Sequence, residues 1–226
     1  MNSKYYILLI LFLFFQTAWS QNNGIDEFAC KKSAELLTTN SDAPLLTLNA
    51  NEPPDSLVIK RKDNGFCLSI PHGNYSFKLL FNARKSSNND STAYCGIRYS
   101  TDIMLNSRNM IMYENKIITI DSLKQEIDAY YKSVGAPKTD APTTIGQVNF
   151  TVKWQAGCSK SILEQIFKAI CFSHLGAIEH HERIKICNLS SKQIKHYQEQ
   201  YPLNILLRGN LRGPNMNEIK IIEITE

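Results

Sequence analysis

After position 20 the sequence has no apolar run long enough to cross a bilayer, and no run of like charge or basic stripe of the kind that meets nucleic acid or a membrane surface. The common catalytic signatures are missing too. There is no G-x-S-x-G for a serine hydrolase, no G-x-x-x-x-G-K followed by Ser or Thr for nucleotide phosphates, no H-E-x-x-H and no C-x-x-C. No internal repeat is found, and no cysteine directly follows the first apolar segment, so neither a repeat array nor a lipoprotein linkage is indicated.

What is present begins at the amino terminus. Lys4 precedes the apolar stretch from Tyr5 to Phe15, which has signal-peptide length, and Ala18-Trp19-Ser20 places small residues where a signal peptidase needs them. Cleavage before Gln21 is therefore expected; the competing reading is an uncleaved anchor running to Trp19. Removing residues 1–20 takes away one base, Lys4, and leaves 206 residues with 24 bases against 21 acids, dispersed along the chain. That length suffices for one well-buried domain or two small ones. The expectation is an exported protein, periplasmic or secreted, with no stable membrane span after cleavage and no nucleic-acid partner.

All six cysteines, Cys30, Cys67, Cys95, Cys158, Cys171 and Cys187, follow the cleavage site. In an exported chain an even number reads as up to three disulfides, in any of 15 connectivities. A second reading leaves some of them reduced and buried, because Cys171 sits in an apolar helical pattern and Cys67 in a strand pattern.

The periodicity predicts a short helix within Ile25–Thr39, then strands at 57–59, 66–70 and 75–81 with a turn at Asp63-Asn64-Gly65, and a polar surface loop over 83–92. Further on come a strand pair at Met110–Tyr113 and Lys116–Ile120 around Glu114-Asn115, and a helix capped by Ser122-x-x-Gln125 and closed by Gly135 and Pro137. Next are an alternating strand from Val148 to Trp154 and a helix capped by Ser161-x-x-Glu164, with Ile162, Leu163, Ile166, Phe167, Ile170 and Cys171 as its apolar stripe and Gly176 as its stop. The tail adds strands at Arg183–Cys187, Leu203–Leu207 and Glu218–Ile224 and a helix over Ser191–Gln200. The fold class is α+β, a mixed or antiparallel sheet with helices packed on one face, preceded by the cleavable signal peptide. A strand-rich part over 21–105, with one short helix, is expected to meet an α+β part over 106–226, as two parts or as one continuous domain.

Imidazoles and carboxylates gather at His174 and at Glu179-His180-His181-Glu182, ligand types that zinc accepts. Adjacent histidines point apart, so a solvated helix end accounts for the same residues. Cys158 follows Gly157 and precedes a helix, whose amino terminus favours a thiolate, which makes it the candidate nucleophile; a bridged cysteine is the competing reading. N-x-S/T sequons occur at Asn74, Asn89, Asn149 and Asn188. Arg208-Gly209-Asn210-Leu211-Arg212-Gly213-Pro214 reads as a connection between strands or as an anion-binding turn.

The strand pair, the Ile118-Thr119-Ile120-Asp121-Ser122-Leu123 lead into a helix, the strand from Val148 to Trp154 and the following helix together resemble the periplasmic domain of the ExbD/TolR family of biopolymer-transport accessory proteins, over about residues 110–173. Members of that family anchor this domain by a transmembrane helix whose Asp takes part in proton coupling, and residues 5–15 of this chain contain no carboxylate. The resemblance therefore implies an envelope docking domain without proton-driven work. The resulting expectation is a non-catalytic exported protein that binds another envelope or extracellular protein and carries no cofactor. The alternative is an exported enzyme that uses Cys158, or zinc at His174, His180 and His181.

Overall fold

The computed structural model describes residues 30–38, 43–54, 66–72, 74–81, 100–137 and 141–208. The signal segment, the turn at Asn64-Gly65, the strands expected at 57–59 and 218–224, the loop at 83–92, Asn89 and Cys95 lie outside them.

The first helix, α1, is Lys31–Leu37 and turns Ser33, Ala34, Leu36 and Leu37 inward. Strands β1 (Leu45–Thr47), β2 (Phe66–His72) and β3 (Tyr75–Phe81) form a mixed sheet in which β2 is central, parallel to β1 and antiparallel to β3. A second mixed sheet holds β4 (Ser100–Leu105), β5 (Ile111–Tyr113), β6 (Lys116–Ile118), β7 (Asn149–Trp154) and β8 (Asn204–Leu207) in the order β6-β5-β4-β7-β8. Strands β4, β7 and β8 run parallel, while β5 is antiparallel to both β4 and β6. The β5–β6 turn falls on Glu114-Asn115, with φ of 45° and 67° at the two residues. Positive φ at both central positions gives the turn a twist that matches its strands, and Asn tolerates the left-handed region better than most residues.

Among the described residues the α+β fold has three further helices: α2 (Ile120–Lys132), α3 (Lys160–Glu182) and α4 (Ser191–Gln200). Tyr130 and Tyr131 of α2 meet Phe150 of β7, at ring distances of 6.1 and 5.9 Å. Phe167 of α3 packs against Trp154 of the second sheet and Phe81 of the first, and Phe172 packs edge-on to Phe77. The expected single sheet with helices on one face is thus corrected: α3 lies between two sheets. Its sequence explains this, because Ile170 to Leu175 are six consecutive buried residues, and a helix that is buried all round needs partners on both sides. Fully burying each large apolar side chain contributes about 1.5–3 kcal/mol, so this helix concentrates much of the core.

Several expected boundaries move. Helix α2 starts at Ile120, where Thr119 caps it by accepting from the Ser122 N–H, and α3 is capped by Ser159 rather than Ser161. The full reciprocal capping box forms at Ser190 and Gln193, ahead of α4. Gly176 does not stop α3, which continues to Glu182. A glycine inside a helix costs about 1 kcal/mol, less than burial of Leu175 and Ile178 returns. The stop is Arg183, in the left-handed conformation with φ of 55°. The strand expected at Arg183–Cys187 is replaced by a 3₁₀ turn over Ile186–Asn188, where Glu179 Oε1 accepts from the Ile186 N–H at 2.7 Å.

That turn presents Cys187 to Cys30 at the start of α1, and the two form a disulfide with Cα atoms 5.9 Å apart. Cys67, Cys158 and Cys171 are unbonded and buried, which settles the choice for those three in favour of buried thiols. Gln198 of α4 adds a second tie to α1, its Nε2 donating to the carbonyls of Glu35 and Thr38 at 2.7 and 2.9 Å. The buried core runs from Ala34 to Leu207, through both sheets and the four helices of the described residues.

Candidate functional site

Strand β4 floors a cleft on the surface of the second sheet. Its alternation sends Thr101, Ile103 and Leu105 toward the helices and Ser100, Asp102 and Met104 to the opposite face of the sheet. There a cleft of about 360 Å³ is lined by Ser100, Asp102, Met104, Glu114, Asn115, Thr151 and Arg208. The floor is polar at one end, where the Ser100 and Thr151 hydroxyls hydrogen-bond at 2.7 Å, with Thr151 only 1 % exposed. In its middle Lys153 Nζ meets Asp102 Oδ2 at 2.5 Å. Met104, packed beside Met112, gives the other end an apolar surface. Glu114 comes from the β5–β6 turn and Arg208 follows β8, so the two flanks of the cleft carry opposite charges. Sequence reasoning missed this site, although alternating polar residues at Ser100 and Asp102 were a visible trace of it. Of the Arg208–Pro214 segment, Arg208 alone lies within the described residues.

The histidine candidates separate. His174 is buried within α3, Nδ1 3.0 Å from the Tyr131 hydroxyl and Nε2 3.0 Å from the Tyr201 carbonyl. A carbonyl only accepts, so Nε2 carries the proton and Nδ1 accepts from Tyr131. Burial pulls the His174 pKa down from 6.5 to about 4, only partly opposed by the Tyr201 hydrogen bond. His180 and His181 are exposed on the last turn of α3. His181 Nδ1 lies 3.1 Å from Glu182 Oε1, and the Tyr201 hydroxyl donates to that same oxygen. The Tyr201 bond, more than His181, holds the Glu182 carboxyl below its usual range. Tyr201 therefore ties the corner before β8 to α3 twice, through its carbonyl at His174 and its hydroxyl at Glu182. Among the described residues no group of three or more His, Cys, Asp or Glu side chains is arranged to hold a metal ion.

Cys158 sits in the β7–α3 connection, 5 % exposed, with Sγ 3.9 Å from the Ala50 carbonyl. Burial raises its pKa, opposite to the shift that a helix amino terminus produces, and Cys171 is driven up further for the same reason. A thiol that is neutral and covered is a poor nucleophile. Under native conditions at neutral pH, iodoacetamide is expected to leave Cys67, Cys158 and Cys171 unmodified and to label all three after denaturation, as read by peptide mass spectrometry. Rapid native labelling of Cys158 would restore it as a reactive centre.

Among the described residues no helix is long and apolar enough to cross a membrane. No protein-family model, no curated protein and no solved structure matches the chain.

Proposed function

We propose that this chain is an exported, non-catalytic binding protein of the cell envelope or extracellular space, released by cleavage before Gln21 and engaging a protein partner at the cleft over β4. The cleft carries the reading: a preformed concavity of about 360 Å³ with hydroxyl, carboxylate, guanidinium and thioether groups on one rigid sheet face. Ligand sites commonly occupy clefts of about 300 to 1,000 Å³ with a few placed polar groups. Export is supported by the signal-like amino terminus and the Cys30–Cys187 bond, since disulfides persist in oxidising compartments. Kinship with the ExbD/TolR periplasmic domain, without its proton coupling, is part of the proposal. Its support is the order β5, β6, α2, β7, α3, which follows the segments that carry the resemblance.

The test is a photo-reactive amino acid placed at Asn115, on the rim of the cleft, in the full chain expressed in its host, with Lys192 on α4 as the control position. The expected result is a discrete adduct from Asn115 alone, joining an envelope or extracellular protein identified by mass spectrometry to a chain beginning at Gln21, and lost in Arg208→Glu. Equal or absent cross-linking at the two positions would overturn the binding reading, and an intact Met1 on the adduct would overturn release.

A further inference from the structure

We infer that the Cys30–Cys187 bond exchanges with small thiols in the folded protein, with Cys187 as the sulfur attacked and Cys30 as the leaving and resolving thiol. None of the residues involved lines the cleft over β4, so this stands or falls independently of the binding reading above. The two ends of the bond differ. Cys187 is exposed, on the 3₁₀ turn over Ile186–Asn188, and Asn188 beside it is exposed as well. Cys30 is half-buried, and its Sγ lies 3.2 Å from the hydroxyl of Ser33, a residue with no exposed surface. A disulfide sulfur carries no hydrogen, so the Ser33 hydroxyl donates and Cys30 Sγ accepts.

Thiol–disulfide exchange is governed by which sulfur an incoming thiolate can reach and by how well the other sulfur carries the departing charge. Reach favours Cys187. Departure favours Cys30, because a hydrogen bond to the charged form stabilises it and the Ser33 donor is already in place. In the first step the thiolate attacks Cys187 Sγ; a new S–S bond forms there as the Cys30–Cys187 bond breaks, and the electron pair of the broken bond leaves on Cys30, which then takes a proton from water. On opening, the Gln198 hydrogen bonds to the Glu35 and Thr38 carbonyls and the inward face of α1 hold Cys30 near the turn. That closeness gives Cys30 a high effective concentration, so its thiolate attacks Cys187 Sγ, expels the added thiol and restores the original bond. If a second small thiolate attacks the added sulfur first, it forms a disulfide with the first thiol and leaves Cys30 and Cys187 as two thiols, two electrons having passed to the protein.

Reduced glutathione is the probe, added in excess to the full processed protein in native buffer, with the reaction stopped in acid at short times and the adducts mapped by peptide mass spectrometry. Glutathione on Cys187 is expected to exceed glutathione on Cys30 by about tenfold or more. In urea strong enough to unfold the chain, where both sulfurs are open and Ser33 is no longer held beside Cys30, the preference should disappear. Ser33→Ala, shown to be folded by circular dichroism, is expected to slow the attack at Cys187 several-fold, whereas a merely structural role for Ser33 would loosen α1 and speed exchange. Equal labelling of the two cysteines, an excess on Cys30, or exchange that begins only when the chain unfolds would overturn the assignment. An undiminished rate in Ser33→Ala would overturn the part given to the hydroxyl.

Discussion

Replacing both Cys30 and Cys187 with Ser is expected to lower the unfolding free energy by about 3 to 5 kcal/mol and the melting temperature by about 10 °C. The size follows from the chain enclosed. The two residues are 157 apart in sequence, so their bond removes a large part of the loop-closure entropy of the unfolded chain. Locally the bond fastens α1, a helix of seven residues and too short to persist alone, to the turn after α3. Urea unfolding of the double variant beside the native protein measures the loss, and hydrogen exchange over Lys31–Leu37 locates it. Faster exchange there, with the five-stranded sheet still protected, is the expected pattern. A loss below about 1 kcal/mol would mean that the Gln198 hydrogen bonds and the apolar face of α1 hold the helix without the bond.

Acidification gives the second large effect. His174 titrates near 6.5 when unfolded and at about 4 when folded, because the buried ring is neutral and its surroundings oppose a charge. Between those values the unfolded chain binds more protons, so stability rises with pH across the window. The contribution of His174 is complete above about pH 6.5, falls as pH drops toward 4, and changes no further below that. At 1.36 kcal/mol per pH unit the loss totals about 3 kcal/mol. In His174→Leu this slope should vanish, although the variant starts less stable because the Tyr131 hydroxyl and the Tyr201 carbonyl lose their partner. Urea midpoints at pH 7.5, 6 and 4.5 separate the two effects. An undiminished slope in the variant would assign the titration to another group.

The same residues show how much was legible in advance. Several locally signalled elements agree between sequence and fold: the tight turn at Glu114-Asn115, the alternating strand ending at Trp154 and the helix over Ser191–Gln200 all depend on neighbours within a few positions. Strand β4, of which the polar Ser100 and Asp102 were the one trace, was not read as a strand for the opposite reason. Ser100-Thr101-Asp102 gives no apolar alternation of its own, and the segment becomes a strand because β5 and β7 supply hydrogen bonds on both sides. Reading one stripe on α3 was incomplete because periodicity cannot tell that a second sheet waits on the other face. The candidate chemistry divides likewise. Cys158 and His174 were noticed for their residue types, but burial, which sequence does not display, made one a covered thiol and the other a neutral bridge between α2 and the corner before β8.

By itself the sequence determined the α+β class, the tight turn at Glu114-Asn115 and the available cysteines. These follow from side-chain size, charge and backbone preference at short range. Only the tertiary structure decided that Cys30 pairs with Cys187, that α3 is sandwiched between two sheets, and that Asp102, Thr151 and Arg208 share a cleft. Each of those joins residues about fifty or more positions apart, or depends on what covers a side chain, and their closeness comes from burying the common core and not from any preference written in one segment.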